Sequence, residues 1–98
     1  MLKFDPSNLP EENERFTKVK KYIMLRTHSF LRLNKDDIIY ICLDKEDPGN
    51  HSRFIIYNSK GNWVTNTTGF RDEVGVLFAD YKAVLRNDRI NQILDIIE

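Results

Sequence analysis

The side chains best suited to chemistry in this sequence are two histidines, one cysteine and a few serines. His28 and His51 have no further histidine or cysteine at the spacing of a zinc site. No triad signature surrounds Ser29, Ser52 or Ser59, and the four glycines are too scattered to form a phosphate-binding loop. We therefore expect no metal, no cofactor and no enzymatic activity.

The cysteine and a pair of adjacent acids have structural interpretations. Cys42 lies within the apolar run 38–43, where a free thiol behaves as a small hydrophobic side chain. Asp36 and Asp37 could act as acid and base, but adjacent carboxylates before a strand are usually solvated. Neither feature predicts catalysis.

The charge is balanced overall and segregated along the chain. The formal net charge is zero, yet residues 15–35 carry seven basic side chains and no acid, whereas residues 36–47 carry five acids and one lysine. Segregated charge can give one face of a neutral protein a positive field that attracts phosphates. The alternative is an ordinary solvated surface. The seven basic residues are Arg15, Lys18, Lys20, Lys21, Arg26, Arg32 and Lys35.

Length and composition predict one folded domain. The 98 residues, 41% of them hydrophobic, suffice for a single modest core. Residues 1–14 are expected to form a flexible or short helical segment, with Pro10 in its first turn, and residues 15–98 the domain. The sequence contains neither a long apolar stretch nor a signal peptide, which predicts a cytoplasmic protein without a membrane partner.

Alternation and turn residues predict a mostly β structure. Residues 16–31 fit a helix or strands, and strands at 22–26 and 30–33 are favoured because a turn and the run 38–43, typical of a strand buried on both faces, follow. Residues 44–52 are predicted as a loop. Strands at 53–57 and 63–65 flank a hairpin turn at 58–62.

The last third of the sequence mixes signals. Thr68 could cap a helix that begins near Phe70 and presents Val74, Leu77 and Phe78 on one face. Residues 81–85 are predicted as a short strand and 86–89 as a polar turn, whereas 90–97 fit either a helix or a strand. The expected fold is mainly β with one or two helices, in the α+β class.

The stretch KKYIMLRTHSFLRLNKDDIIYI, followed after a loop by SRFIIYNSKGNWVTNTTGFRDEVGVL, resembles the LytTR family of DNA-binding domains of bacterial response regulators. The segments DDIIYI (36–41), YNSKG (57–61), TGFRDEVGVL (68–77) and YKAVLRNDRINQILDI (81–96) follow the order of the family over about three quarters of the chain. The resemblance implies an elongated, LytTR-like β fold that lies along DNA and reads it with loop side chains.

The resemblance also implies a set of DNA-binding residues. Arg86 and Arg53 would reach guanine edges, and Asn87 an adenine edge, while lysines and arginines of residues 18–35 would attract phosphates. The residues assigned to DNA binding are His51, Ser52, Arg53, Arg86, Asn87, Arg89 and Lys35.

The expected function is a non-catalytic transcription regulator domain of a two-component system, with duplex DNA as its partner. The alternative is a protein-interaction or dimerisation module, forming for example a homodimer, that keeps the fold without binding DNA. The zero net charge favours this alternative, as do Ala83 and Leu85, which stand where the family has polar side chains.

Overall fold

The computed structural model describes residues 3–46 and 53–85, which form an open antiparallel sheet with two short helices. The strand order is β4-β3-β2-β1-β5, and every neighbouring pair is antiparallel. This architecture confirms the expectation of a mainly β fold with one or two helices. In chain order the elements are β1 (Lys20–Met24), β2 (Ile38–Leu43), β3 (Phe54–Tyr57), β4 (Trp63–Thr67), α1 (Phe70–Glu73), β5 (Phe78–Asp80) and α2 (residues 81–85).

Strand β2 is buried on both faces, as the sequence predicted. Its side chains alternate, so that Ile39 and Ile41 enter one core while Tyr40 and Cys42 enter a second core across the sheet. The exposed fraction of these four residues is 7% or less. We call the two sides of the sheet the Ile41 face and the Tyr40 face.

The Ile41 face is covered by the segment between β1 and β2 and by the region around α1. Leu31 and Leu33 belong to a turn at residues 27–33 and pack against this face. Phe70 of α1 packs edge to face against Tyr22 and Phe54, with ring centroids 5.9 and 5.4 Å away. Such aromatic pairs stabilise the core beyond simple area burial.

The Tyr40 face is covered by the N-terminal segment. The ring of Phe4 packs edge to face on Tyr40 and Tyr57 at centroid distances of 5.4 and 4.8 Å. Its backbone N–H donates a 3.0 Å hydrogen bond to the carbonyl oxygen of Gly61. Residues 3–14 contain turns and no helix, so the short helix expected after Pro10 is not formed.

The predicted strand at 30–33 is wrong, because this segment closes a tight turn. The His28 N–H donates to the Leu33 carbonyl at 2.7 Å, and the Leu33 N–H donates to the His28 carbonyl at 3.2 Å. Arg32 has a φ of 56°, which an extended strand does not allow. The turn leaves Phe30 89% exposed.

The helix predicted near Phe70 exists but is much shorter than its apolar spacing suggested. It begins after Gly69, whose φ is 87°, and Thr68 provides no side-chain cap. It ends at Glu73, and the chain then reverses at Gly75, which has a φ of 86°. Phe78 consequently reaches the core from strand β5 rather than from a helix face.

The predicted strand at 81–85 is also wrong, because these residues are helical. The Asp80 carboxylate accepts hydrogen bonds from the backbone N–H groups of Lys82 at 2.8 Å and Ala83 at 3.3 Å. These are the contacts of a helix N-cap, and they redirect the chain at the end of β5. The predictions for residues 86–89 and 90–97 lie outside the described residues.

The predicted hairpin is confirmed and consists of β3 and β4. The Asn58 side-chain oxygen accepts the N–H groups of Lys60 and Asn62, both at 3.0 Å, and holds the turn closed. Gly61 adopts a φ of 83° at the end of this turn.

Two glycines test how strongly the N-terminal segment is held. Both Gly61 and Gly75 have positive φ, but a Cβ on Gly61 would collide with the Phe4 carbonyl, whereas nothing lies within 4 Å of one on Gly75. We expect Gly75→Ala to lower the free energy of unfolding by about 1–2 kcal/mol through backbone strain. Gly61→Ala should cost about 3 kcal/mol or more, because it also displaces the buried Phe4.

Urea unfolding followed by circular dichroism measures both free energies. Equal losses for Gly61→Ala and Gly75→Ala would show that the docking of Phe4 contributes little to stability.

Candidate nucleic-acid interface

The sheet has two ends, and the predicted DNA-binding residues divide between them. At one end β1 begins, β2 ends, β3 begins and β4 ends; we call it the Lys20 end. At the other end β1 ends, β2 begins and β3 turns into β4; we call it the Met24 end. Strand β5 runs toward the Lys20 end, since Phe78 pairs with Met24 and Asp80 pairs with Tyr22.

The Lys20 end collects basic residues that are far apart in the sequence. Lys18 and Lys20 are exposed where the chain enters β1. Arg53, also exposed, stands directly before β3, where its carbonyl oxygen accepts the Asp44 N–H at 2.9 Å. The chain leaves β5 at this end, and the Lys21 Nζ lies 4.2 Å from the ring centroid of Tyr81.

Lys35 lies at the Met24 end, apart from Arg53, which is the other assigned DNA-binding residue in the described part of the chain. Its N–H donates to the Thr27 hydroxyl at 3.1 Å in the connection that leads into β2. Arg26, a predicted phosphate contact, also lies at this end and is exposed. His51, Ser52, Arg86, Asn87 and Arg89 are outside the described residues.

The basic run 15–35 does not form one continuous face. Neighbouring residues of a strand point to opposite sides, so Lys20 projects from the Ile41 face and Lys21 from the Tyr40 face. Arg26 and Lys35 lie a strand length away. The segregation seen in the sequence therefore becomes two separate basic regions in the fold.

Some basic side chains are occupied by acids at the Lys20 end. The Arg15 Nε lies 3.7 Å from the buried carboxylate of Asp44 and 4.0 Å from the exposed carboxylate of Glu46. The Lys45 Nζ lies 2.6 Å from the carboxylate of Glu12. Such pairs remove cations from those available to a polyanion. Within residues 3–46 and 53–85, Lys18 and Lys20 form no ion pair.

Cys42 and Asp37 have structural surroundings in the described part of the chain. Burial raises the pKa of the Cys42 thiol, which makes the nucleophilic thiolate scarce. Asp37 accepts the Asn34 N–H at 2.8 Å, so it holds a turn. Across the described ranges no group of three histidine, cysteine, aspartate or glutamate side chains could hold a metal ion.

A groove on the Ile41 face was not predicted from the sequence. It has a volume of about 260 Å³ and lies between the 27–33 turn, α1 and strands β3 and β4. Its lining is mostly apolar and also contains polar residues, among them Thr65 and Glu73. The sequence pattern does not indicate it, because that pattern predicts a strand at 30–33 rather than a turn that covers the sheet.

Searches of protein-family models, of curated proteins and of solved structures find no match to this chain. The LytTR resemblance therefore stays a prediction based on the residues quoted for it. In the described part of the chain no helix is long and apolar enough to span a membrane.

A buried phenol gives the fold a dependence on alkaline pH. Burial, aided by the neighbouring Cys42, raises the pKa of Tyr57 to about 12, whereas an unfolded tyrosine ionises near pH 10. The neutral phenol therefore contributes stability that is complete below about pH 10 and is lost as the pH rises toward 12. The urea midpoint of the wild type should fall more steeply across this window than that of Tyr57→Phe.

Both proteins carry the same buried Tyr22, whose pKa is raised mainly by burial, so this group cancels in the comparison. The Cys42 thiol interacts with Tyr57, so both proteins are compared in a Cys42→Ala background. Parallel curves would mean that Tyr57 ionises equally easily in the folded and unfolded chains.

Proposed function

We propose that this chain is a LytTR-like DNA-binding domain, a non-catalytic module of a cytoplasmic bacterial response regulator that binds duplex DNA through the Lys20 end of its sheet. The observation that supports the proposal is that Arg53 lies at the same sheet end as Lys18 and Lys20, which precede it by more than thirty residues in sequence. The connections leading to His51 and to Arg86 leave from the same end.

In the proposed mechanism, Lys18 and Lys20 contact phosphates. Such contacts release condensed counterions and provide affinity without sequence preference. Arg53, Arg86 and Asn87 read base edges from the loops, in which arginine pairs with guanine and asparagine with adenine. His51, Ser52 and Arg89 complete the contact surface. Lys35 lies at the Met24 end, and we assign it no contact in this mechanism.

The two basic regions provide a matched test. Lys18→Gln with Lys20→Gln removes two charges from the Lys20 end, and Arg26→Gln with Lys35→Gln removes two from the Met24 end. Each phosphate contact contributes about 0.9 to the slope of log affinity against log salt. We expect the first pair to reduce that slope by about 1–2 and the second to leave it unchanged. Fluorescence anisotropy with a labelled duplex over a salt series measures both slopes.

Equal effects of the two pairs would contradict an interface restricted to one end. Absence of duplex binding by the wild type at low salt would contradict DNA binding itself.

The base-reading role has its own test. Arg86→Ala should weaken binding to a duplex selected from a random pool by about 1–3 kcal/mol, since one bidentate guanine contact is lost. Binding to an unrelated duplex should weaken much less. Competition measurements with the two duplexes give the ratio, and an unchanged ratio would remove Arg86 from the base-reading set.

A second candidate function is a protein-interaction module. The exposed Phe30 ring and the groove on the Ile41 face favour it, because they are apolar features at the surface of the described structure.

A further inference from the structure

The tip of the 27–33 turn presents an aromatic ring to solvent. Phe30 is 89% exposed, which is the largest exposure of any large hydrophobic residue in the described part of the chain. The turn is held rigidly from within: its ends pair through His28 and Leu33, and the Leu31 N–H donates to the His28 Nδ1 at 3.3 Å. A fixed turn that projects an aromatic ring costs little entropy on binding, which is typical of an interface anchor.

The groove beside this turn is large enough for such a ring. A cavity of about 150 Å³ holds a benzene molecule, and the groove measures about 260 Å³. Phe54 and Ile56 lie at its base and are 1% exposed, so an inserted ring would be contacted mainly by the partly exposed Leu31, Thr65 and Leu77. Phe30 itself stands at the rim of the groove in its own chain.

A projecting ring next to an apolar groove is the arrangement that a two-fold interface requires. In such a dimer the same patch is used by both subunits, so that a knob on one subunit meets a hole on the other and the reverse. We propose that two copies of this chain associate through the Ile41 face, with Phe30 of each copy inserted in the groove of the other.

The charges around the two features favour a second copy as the occupant. Glu73 is the acid at the groove, and within the described ranges it forms no ion pair. Arg32 lies two residues after Phe30, on the turn that carries the knob, and is likewise without an ion pair there. Insertion of Phe30 therefore brings Arg32 of each copy to Glu73 of the other, which matches opposite charges twice.

The proposed dimer interface adjoins the proposed DNA contacts, since Lys20 projects from the Ile41 face and Phe54 of the groove directly follows Arg53. Dimerisation is measured without DNA, and DNA binding is tested with variants at Lys18 and Lys20 that do not line the groove. Either proposal can therefore fail alone.

Sedimentation velocity of the whole chain between about 1 µM and 1 mM tests the association. We expect a concentration-dependent dimer with a micromolar dissociation constant, because one inserted ring on each side is a small anchor. Phe30→Ala should weaken dimerisation at least about ten-fold. Leu85→Ala, which truncates another exposed apolar side chain outside the groove, should leave it unchanged.

Phe30→Ala removes an exposed side chain, so folding should be retained and circular dichroism checks this directly. A chain that stays monomeric at the highest concentration, or a dimer indifferent to Phe30→Ala, would overturn the proposal.

A charge exchange tests the orientation of the two copies. Arg32→Glu alone places acid against acid, and Glu73→Lys alone places base against base, so each variant should remain monomeric where the wild type dimerises. An equimolar mixture of the two variants restores both pairs and should form a heterodimer. Failure of the mixture to associate would overturn the proposed contact between the turn and the groove.

Discussion

Burial of β2 on both faces is the constraint on which the rest of this structure depends. An open sheet with a strand of this kind needs a cover on each side, because either exposed face would leave aliphatic and aromatic side chains in water. The two short helices are too small to supply both covers. The Ile41 face is covered by the turn and α1, and the Tyr40 face by an irregular segment anchored on Phe4. Irregular segments therefore cover much of this sheet, whereas helices cover the sheet in layered folds.

The burial of β2 on both faces also limits where basic side chains can lie. The interior side chains of β2 and β3 occupy both faces, and neither strand contains a basic residue. The basic residues of the described chain lie in β1, in the two short helices and in the segments outside the strands. A run of cations that is continuous in the sequence is divided by the pleat of β1 and by the length of the strand. Arg53 lies at the same end of the sheet as Lys18 and Lys20 because β2 pairs with both β1 and β3. The grouping of Lys18, Lys20 and Arg53 at one end of the sheet is thus a product of topology.

The sequence was sufficient for the strands whose patterns are strong and local. The apolar run 38–43 and the hairpin around Asn58 and Gly61 match the structure because their signals lie within a few residues. The sequence pattern wrongly predicted a strand at 81–85. The Asp80 carboxylate caps this segment, which is helical. The pattern also failed at 30–33, where apolar residues cover a distant sheet face. The groove and the division of the basic run depend on contacts between distant segments, and periodicity contains no information about those.

The packing of Phe4 has a consequence for the order in which the chain can fold. Its partners, Tyr57 and Gly61, lie more than fifty residues later, so the second core cannot close until the β3–β4 hairpin exists. During synthesis, Phe4 emerges more than fifty residues before these partners and cannot form its native contacts until they follow. Closing so long a loop is slow compared with forming a hairpin. The part of the Tyr40 face that Phe4 covers is therefore completed only after the β3–β4 hairpin is in place.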